Sequence, residues 1–258
     1  MNKFFILFLS LILTSCLTSK KATDIQTSTN AFNFKLDSLE MFDSSRNRKI
    51  PVAFYYPKTG SKIKNQQIII FSHGYGQNQG GDKLRYSYLT EYLAQKGFYV
   101  VSIQHELPTD ELLPMEGNFQ ITRRPNWERG AENILFVLNK MKELKPNLDY
   151  KHLTIIGHSN GGDMAVLFAH EHPKLVYKVI SMDNRRMPLP RVSKPKIYTL
   201  RSNDFPADDG VLPTLDEQKK YGIVIQQTQI NHSSMDDDAT ITERKVMNDF
   251  IEKYLNEK

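Results

Sequence analysis

Apolar and polar positions follow two different patterns on either side of residue 57. Residues 32–41 alternate apolar and polar side chains, and residues 50–56 are rich in β-branched and aromatic residues. Both patterns are typical of strands, and the polar segment 44–47 between them predicts an antiparallel hairpin. Beyond residue 57 the apolar runs become continuous and are separated by stretches with helical spacing, which indicates a parallel sheet covered on both faces.

The continuous runs predict strands at residues 67–72, 98–103, 153–157, 176–182, 196–200 and 223–227. Helical spacing predicts helices at residues 84–96, 127–144, 161–170 and 238–255. This repetition of strand, helix and strand implies right-handed crossover connections. We therefore expect an α/β fold, with a mostly parallel wound sheet flanked by helices and an antiparallel N-terminal hairpin.

Residues 104–125 have little periodicity and contain three prolines. A loop of this length in a compact domain is often a functional cover. The segment is therefore a candidate for gating a substrate, with an ordered surface excursion as the alternative.

Composition agrees with a single globular domain. The chain has 258 residues, of which 40% are hydrophobic and 24% charged. Its net charge of +5 is spread along the chain among 29 acidic residues, so no concentrated phosphate-binding stripe indicates a nucleic-acid partner.

The first residues resemble the signal sequence of a bacterial lipoprotein. Lys3 precedes an apolar run over residues 4–13, which is too short to span a bilayer, and Leu-Thr-Ser-Cys follows at residues 13–16. The resemblance implies a signal peptide over residues 1–15 and lipidation of Cys16, the only cysteine. A polar tether would reach residue 30, and the domain would span residues 31–258. We expect an exported protein held at a membrane, on the periplasmic or the cell-surface side, unless Cys16 is removed with an ordinary secretion signal.

A serine flanked by glycines stands between a predicted strand and a predicted helix. The sequence at residues 157–162 is Gly-His-Ser-Asn-Gly-Gly. A serine that attacks a carbonyl must project from a sharp turn, and side chains at the glycine positions would collide there. Ser159 is therefore the predicted nucleophile, and the backbone N–H of Asn160 is a predicted oxyanion donor.

A second oxyanion donor is expected after the strand at residues 67–72, where the chain continues His-Gly-Tyr-Gly. We expect the N–H of Tyr75 to serve, with that of Gly74 as the second choice. For His73 the favoured interpretation is a brace for this loop and not a proton carrier.

The predicted base is His232, which follows the last strand and precedes the last helix. The order Ser, acid, His is the one expected for a nucleophile on a strand-to-helix turn. Two residues could supply the acid. Asp183 closes one strand and Asp204 follows the next, and both could hold His232 in the required tautomer.

These segments resemble the branch of the α/β-hydrolases that contains the platelet-activating factor acetylhydrolases and the dienelactone hydrolase-like proteins. The matches are Phe-Ser-His-Gly at residues 71–74, the elbow at residues 157–162 except for Asn160, and Met182-Asp183 followed by Pro188. The resemblance implies that Asp183 is the triad acid and that Asp204 binds or braces a neighbouring loop. It also implies a serine hydrolase that cleaves carboxylic esters, with short-acyl or lipid-like substrates.

Other functions receive less support. A peptidase or amidase on the same fold and an inactive binding protein stay as alternatives. No cofactor and no metal ion are expected, because the sequence lacks a His-x-x-x-His pair, a cysteine cluster and a phosphate loop. The acidic run at residues 236–238 could bind a hard cation, but we expect it to complement the dipole of the helix predicted from residue 238. Arg185 and Arg186 are candidates for attracting an acidic substrate group at the pocket mouth.

Overall fold

One eight-stranded sheet with helices on both faces organises the chain in a computed structural model, which describes Met1 and residues 32–257. The strands are β1 (Asn33–Asp43), β2 (Arg48–Lys58), β3 (Gln67–Ser72), β4 (Tyr99–Ile103), β5 (Asp149–His158), β6 (Lys178–Met182), β7 (Lys196–Arg201) and β8 (Val224–Gln227). The α-helices are α1 (Ser87–Gln95), α2 (Phe119–Thr122), α3 (Arg124–Leu144), α4 (Ser159–Glu171), α5 (Leu215–Tyr221) and α6 (Ile241–Asn256). Two single-turn 3-10 helices cover Asp82–Leu84 and His232–Ser234.

The strand order is β1-β2-β4-β3-β5-β6-β7-β8. The pairs β1–β2 and β2–β4 are antiparallel, whereas every pair from β4 to β8 is parallel. The predicted fold class is therefore confirmed, including the N-terminal hairpin. In such a sheet the carboxyl ends of the parallel strands meet at one edge, where ligand sites form.

Apolar side chains form one core on each face of the sheet. On one face Trp127 and Leu138 of α3 and Phe168 of α4 are buried against the strands. On the other face Leu89 of α1 and Ile251 of α6 are buried. Because both faces are covered, the central strands are apolar on both sides, which explains their continuous hydrophobic runs.

The segment after β4 contains more structure than the sequence indicated. The short helix α2 interrupts residues 104–125, and α3 begins at Arg124, before the predicted start. Pro125 falls in the first turn of α3, where the missing N–H has no intrahelical partner to lose. No helix within residues 32–257 has the length and apolar character needed to cross a bilayer.

The expectation for the acidic run at residues 236–238 was wrong about the helix that it serves. Helix α6 starts only at Ile241 and is capped by Thr240. The Asp237 carboxylate instead accepts the N–H groups of Ser87 (3.0 Å) and Tyr88 (3.0 Å), in the first turn of α1. The acidic run therefore accepts free N–H groups of a helix about 150 residues earlier in the chain. Proximity in the sequence does not indicate this partner.

Candidate active site

Ser159 lies on a sharp turn between β5 and α4, with a positive φ of 51°. Two glycines allow this turn to pack against neighbouring backbone. A Cβ at Gly161 would lie 2.2 Å from the carbonyl oxygen of His73, and one at Gly157 would lie 2.3 Å from that of Gly161. Side chains cannot occupy these positions without moving the backbone, so the glycines permit the close approach that leaves the serine projecting.

The structure brings His232 between Ser159 and Asp183. The His232 Nε2 atom is 2.9 Å from the Ser159 Oγ, and its Nδ1 atom is 2.5 Å from the Asp183 Oδ2. An ionised carboxylate only accepts hydrogen bonds, so Nδ1 carries the proton and Nε2 accepts the serine hydroxyl. This is the tautomer that a general base for Ser159 requires.

Asp183 is fully buried at the end of β6 and is held on both carboxylate oxygens. Its Oδ1 accepts the N–H of Ser202 (3.0 Å) and forms an ion pair with the guanidinium of Arg201 (2.8 Å). Burial alone would raise the pKa of Asp183, but the hydrogen bond from His232, the charge of Arg201 and the bonds from Ser202 together lower it. The carboxylate is therefore charged at neutral pH and can stabilise an imidazolium.

Asp204 contacts the same histidine at a different point. Its Oδ1 accepts the backbone N–H of His232 at 2.7 Å, and the residue is exposed. It therefore fixes the loop that carries the imidazole, while the ring itself bonds to Asp183.

Of the two predicted oxyanion donors, Tyr75 lines the cleft that contains Ser159, and Asn160 directly follows this serine. Asn160 is in the first turn of α4, where N–H groups have no intrahelical acceptor. The N–H of Gly74 donates to the Tyr86 hydroxyl (3.0 Å), whereas the N–H of Tyr75 has no hydrogen-bond partner in the described part of the chain. The Tyr75 hydroxyl accepts from the N–H of Leu113 (3.0 Å), which fixes its side chain. Tyr75 is therefore the available donor of the two choices.

His158, beside the nucleophile, is a feature that sequence reasoning missed. Its ring lies 4.8 Å from that of His232, and its Nδ1 atom is 2.7 Å from the Tyr86 hydroxyl. Burial, and then the charge of His232, lower its pKa to about 3. His158 therefore stays neutral and adds no positive charge beside the His232 ring. Its place between Gly157 and Ser159 was the only sequence signal.

A buried network holds the side chain of Asn160. The indole N–H of Trp127 donates to its Oδ1 (2.9 Å), and its Nδ2 donates to Glu106 (2.9 Å) and Asn126 (2.8 Å). Burial raises the pKa of Glu106. The Asn160 side chain thus ties the residue after the nucleophile to α3 and to the segment after β4. None of these three partners was predicted, because they are 33 to 54 residues away in sequence.

His73 is the first residue of the loop that follows β3 and carries Tyr75. Its Nδ1 donates to the carbonyl oxygen of Gly74 (2.7 Å), and its Nε2 accepts the N–H of His105 (3.0 Å). Both ring nitrogens are occupied by backbone groups, an arrangement suited to bracing the loop against the end of β4.

A polar cleft of about 470 Å³ opens beside Ser159. Its lining includes Tyr75, Gln77, Gln79, Asp82, Arg85, Ser159, His232 and Asp236. A larger groove of about 620 Å³ lies at the amino ends of β6 and β7, at the opposite edge of the sheet, and contains no triad residue. Among residues 32–257, no group of three or more His, Cys, Asp or Glu side chains is placed to hold a metal ion.

Comparison with known proteins gives similarity in structure only. No protein-family model and no curated protein sequence matches the chain. The solved esterase Est22 superposes with a TM-score of 0.61 at 12% identity, covering 87% of this chain and 81% of its own. The Francisella virulence factor BioJ gives 0.63 at 13%, covering 88% and 86%, and a bacterial heroin esterase gives 0.59 at 15%, covering 86% and 84%. Identities this low show the fold alone: the chain has the α/β-hydrolase fold.

Proposed function

We propose that this protein is a serine esterase that hydrolyses carboxylic esters through an acyl-enzyme. The main support is the continuous chain of hydrogen bonds from Ser159 through His232 to Asp183. Three separate parts of the sequence meet to form it, and the lowered pKa of Asp183 keeps the carboxylate charged beside His232. Solved structures with this fold include esterases, which agrees with the proposal.

In the proposed mechanism, His232 Nε2 takes the hydroxyl proton as the Ser159 Oγ attacks the ester carbonyl carbon. The N–H groups of Asn160 and Tyr75 bind the resulting oxyanion, and each such donor contributes about 3 kcal/mol. When the intermediate collapses, the alcohol leaves with the proton from His232. Water then attacks the acyl group, gives a proton to His232, and releases the acid as Ser159 regains its hydrogen.

The cleft favours short or polar esters over lipid-like ones. Amide and charged side chains, including Gln77, Gln79 and Asp236, line it close to the nucleophile. An alkyl chain placed against these groups would bury little apolar surface and would desolvate polar atoms. We therefore propose a short acyl group, and we rank a phospholipid substrate below it.

The test compares Ser159→Ala with a surface control, Ser61→Ala, on 4-nitrophenyl acetate and butyrate. We expect Ser159→Ala to lower kcat by at least about 10³-fold and Ser61→Ala to match the wild type. Labelling with a fluorophosphonate should require Ser159. An inactive wild-type protein that also resists labelling would support the binding-protein alternative. Faster turnover of a matched anilide than of the ester would support the amidase.

We also propose that Cys16 is lipidated and holds the domain at a membrane. Support comes only from the lipobox-like sequence, since residues 2–31 lie outside the described part of the chain. In a bacterial host, radiolabelled palmitate should be incorporated into the full-length chain but not into Cys16→Ala. Equal labelling of the two proteins, or labelling of neither, would contradict the anchor.

A further inference from the structure

Three arginines from two separate segments converge next to the triad. Arg123 lies at the junction of α2 and α3, and Arg185 and Arg186 follow Asp183 after β6. The guanidinium carbons of Arg123 and Arg186 both lie 4.3 Å from the centroid of the Phe119 ring. We call Arg123, Arg185 and Arg186 the arginine cluster.

A stack of aromatic rings connects this cluster to the catalytic base. The Phe205 ring is stacked on the His232 ring, with centroids 5.2 Å apart and planes inclined by 23°. The guanidinium carbon of Arg185 lies 3.9 Å from the centroid of the same phenylalanine. The Phe205 ring therefore separates Arg185 from the His232 imidazole. Neither Phe205 nor Arg185 lines the polar cleft.

The positive charges of the cluster are only partly compensated. Arg186 pairs with Asp208, but no carboxylate within residues 32–257 forms an ion pair with Arg123 or Arg185. The Nε atoms of these two arginines donate to the backbone carbonyls of Pro114 (2.8 Å) and Pro206 (3.3 Å). Burial, and then the positive charge of Arg186, lower the pKa of both Arg123 and Arg185. Each therefore lies where its own charge is disfavoured, and an anion would relieve that cost.

Three acids, Asp163, Asp183 and Asp208, act on the charge of Arg185, and Asp163 is buried. The Asp163 Oδ1 accepts the backbone N–H groups of Arg186 (3.0 Å) and Met187 (2.7 Å). Its carboxylate is thus engaged by backbone and forms no direct ion pair with a guanidinium. In the described part of the chain, the terminal N–H groups of Arg185 have no hydrogen-bond acceptor, and those of Arg123 donate only to the Met115 sulfur (3.4 Å).

We propose that the arginine cluster is an anion-binding subsite, which takes a carboxylate or phosphate group carried by the ester substrate. The proposal rests on the proposed esterase function and narrows its substrate class to anionic esters. A guanidinium stacked on a ring keeps the N–H groups of its edge directed outward, in the forked geometry that matches an oxyanion. Lysine would supply charge without this geometry.

The test uses pairs of esters in which one member carries an added carboxylate, and it compares how each variant changes the ratio within a pair. Acyl-side selectivity is measured with 4-nitrophenyl valerate against the 4-nitrophenyl monoester of glutarate. Alcohol-side selectivity is measured with phenyl acetate against 4-acetoxybenzoate. We expect the wild type to prefer the anionic member of at least one pair. Arg185→Gln and Arg123→Gln should each lower that ratio of kcat/KM values about tenfold, the loss expected for one charge-assisted hydrogen bond.

Arg124→Gln is the matched control, because Arg124 adjoins Arg123 but pairs with Glu128 (2.7 Å). It should keep the wild-type ratio, and added salt should reduce the ratio only in proteins that retain the cluster. A wild type without preference in either pair, or ratios in Arg185→Gln and Arg123→Gln within twofold of the wild type, would overturn the subsite.

A binding measurement separates this inference from the proposed function. Phenyl phosphate is titrated calorimetrically into Ser159→Ala and into the double variant that also carries Arg185→Gln. We expect the second substitution to weaken binding at least fivefold. Absence of ester turnover with binding that depends on Arg185 would overturn the esterase and keep the subsite. Normal turnover of neutral esters, with phenyl phosphate binding that is absent or independent of Arg185, would overturn the subsite alone.

Discussion

Replacing Asp183 with Asn should invert the tautomer of His232. In the wild type the Asp183 Oδ1 accepts the N–H of Ser202 and pairs with the charge of Arg201, while Oδ2 accepts from His232 Nδ1. Asparagine has a single oxygen, and the N–H of Ser202 together with the charge of Arg201 holds that oxygen at the Oδ1 position. Its NH₂ group must therefore face Nδ1, which becomes an acceptor, and Nε2 then carries the proton. A protonated Nε2 cannot take the proton of Ser159.

The expected loss in kcat/KM is about 10³ to 10⁴-fold, or about 4 to 5.5 kcal/mol of transition-state stabilisation. The matched control is Asp204→Asn, which keeps an oxygen for the N–H of His232 and leaves the tautomer unchanged. We expect it to cost less than about tenfold. Both variants are assayed on 4-nitrophenyl acetate at the same pH. An Asp204→Asn loss as large as that of Asp183→Asn would refute the assignment of the acid.

Stability must be measured alongside, because Asp183→Asn also leaves Arg201 without its charged partner. Arg201 is only 3% exposed, so removing the partner of this buried pair should lower the free energy of unfolding by about 3 kcal/mol. Urea denaturation gives this value directly. The kinetic comparison holds as long as near-UV circular dichroism shows Asp183→Asn folded at the assay temperature.

Two further predictions concern the elbow and a buried acid. Gly161→Ala should lower the free energy of unfolding by at least about 3 kcal/mol, because its Cβ would meet backbone at 2.2 Å. Gly162→Ala, whose Cβ would have its nearest neighbouring atom at 3.0 Å, should lower it by only about 1 kcal/mol. Equal melting temperatures of the two variants would contradict this prediction. Burial raises the pKa of Asp163 from 3.8 to about 6, so its contribution to stability is present below about pH 3.8 and is lost as pH rises through 6. Asp163→Asn keeps the acceptor oxygen and removes this loss, so its stability relative to the wild type should increase by about 2.5 kcal/mol between pH 4 and 7.5 in urea denaturation. The same difference at both pH values would refute the assignment.

Elements with a local hydrophobic signal were predictable from the sequence. The run at residues 67–72 coincides with β3, since a strand covered on both faces must be apolar throughout. Helix α5 was missed for the opposite reason. None of its residues is buried, so it has no apolar stripe, and a capping box between Thr214 and Glu217 marks its start.

The residues of the site also divide into those with a local sequence signal and those without one. Ser159 is marked by flanking glycines and His232 by chain order, and both signals are local. The choice between Asp183 and Asp204 is not, because each follows a strand end and only their three-dimensional positions relative to the imidazole differ. The arginine cluster likewise depends on the three-dimensional fold. Arg185 and Arg186 were visible in the sequence beside the acid, but Arg123 joins them through the packing of α2.

Backbone conformation shows why the triad positions resist prediction from residue preference. Ser159 and Asp183 have positive φ values of 51° and 56°, in a region that favours glycine and asparagine. Holding each residue there costs about 1–3 kcal/mol, which the surrounding packing must offset. Glycine would relax the backbone at either position but would remove the hydroxyl or the carboxylate. The conformation that exposes each group is therefore inseparable from its chemistry, and local propensity alone would assign other residues to both positions.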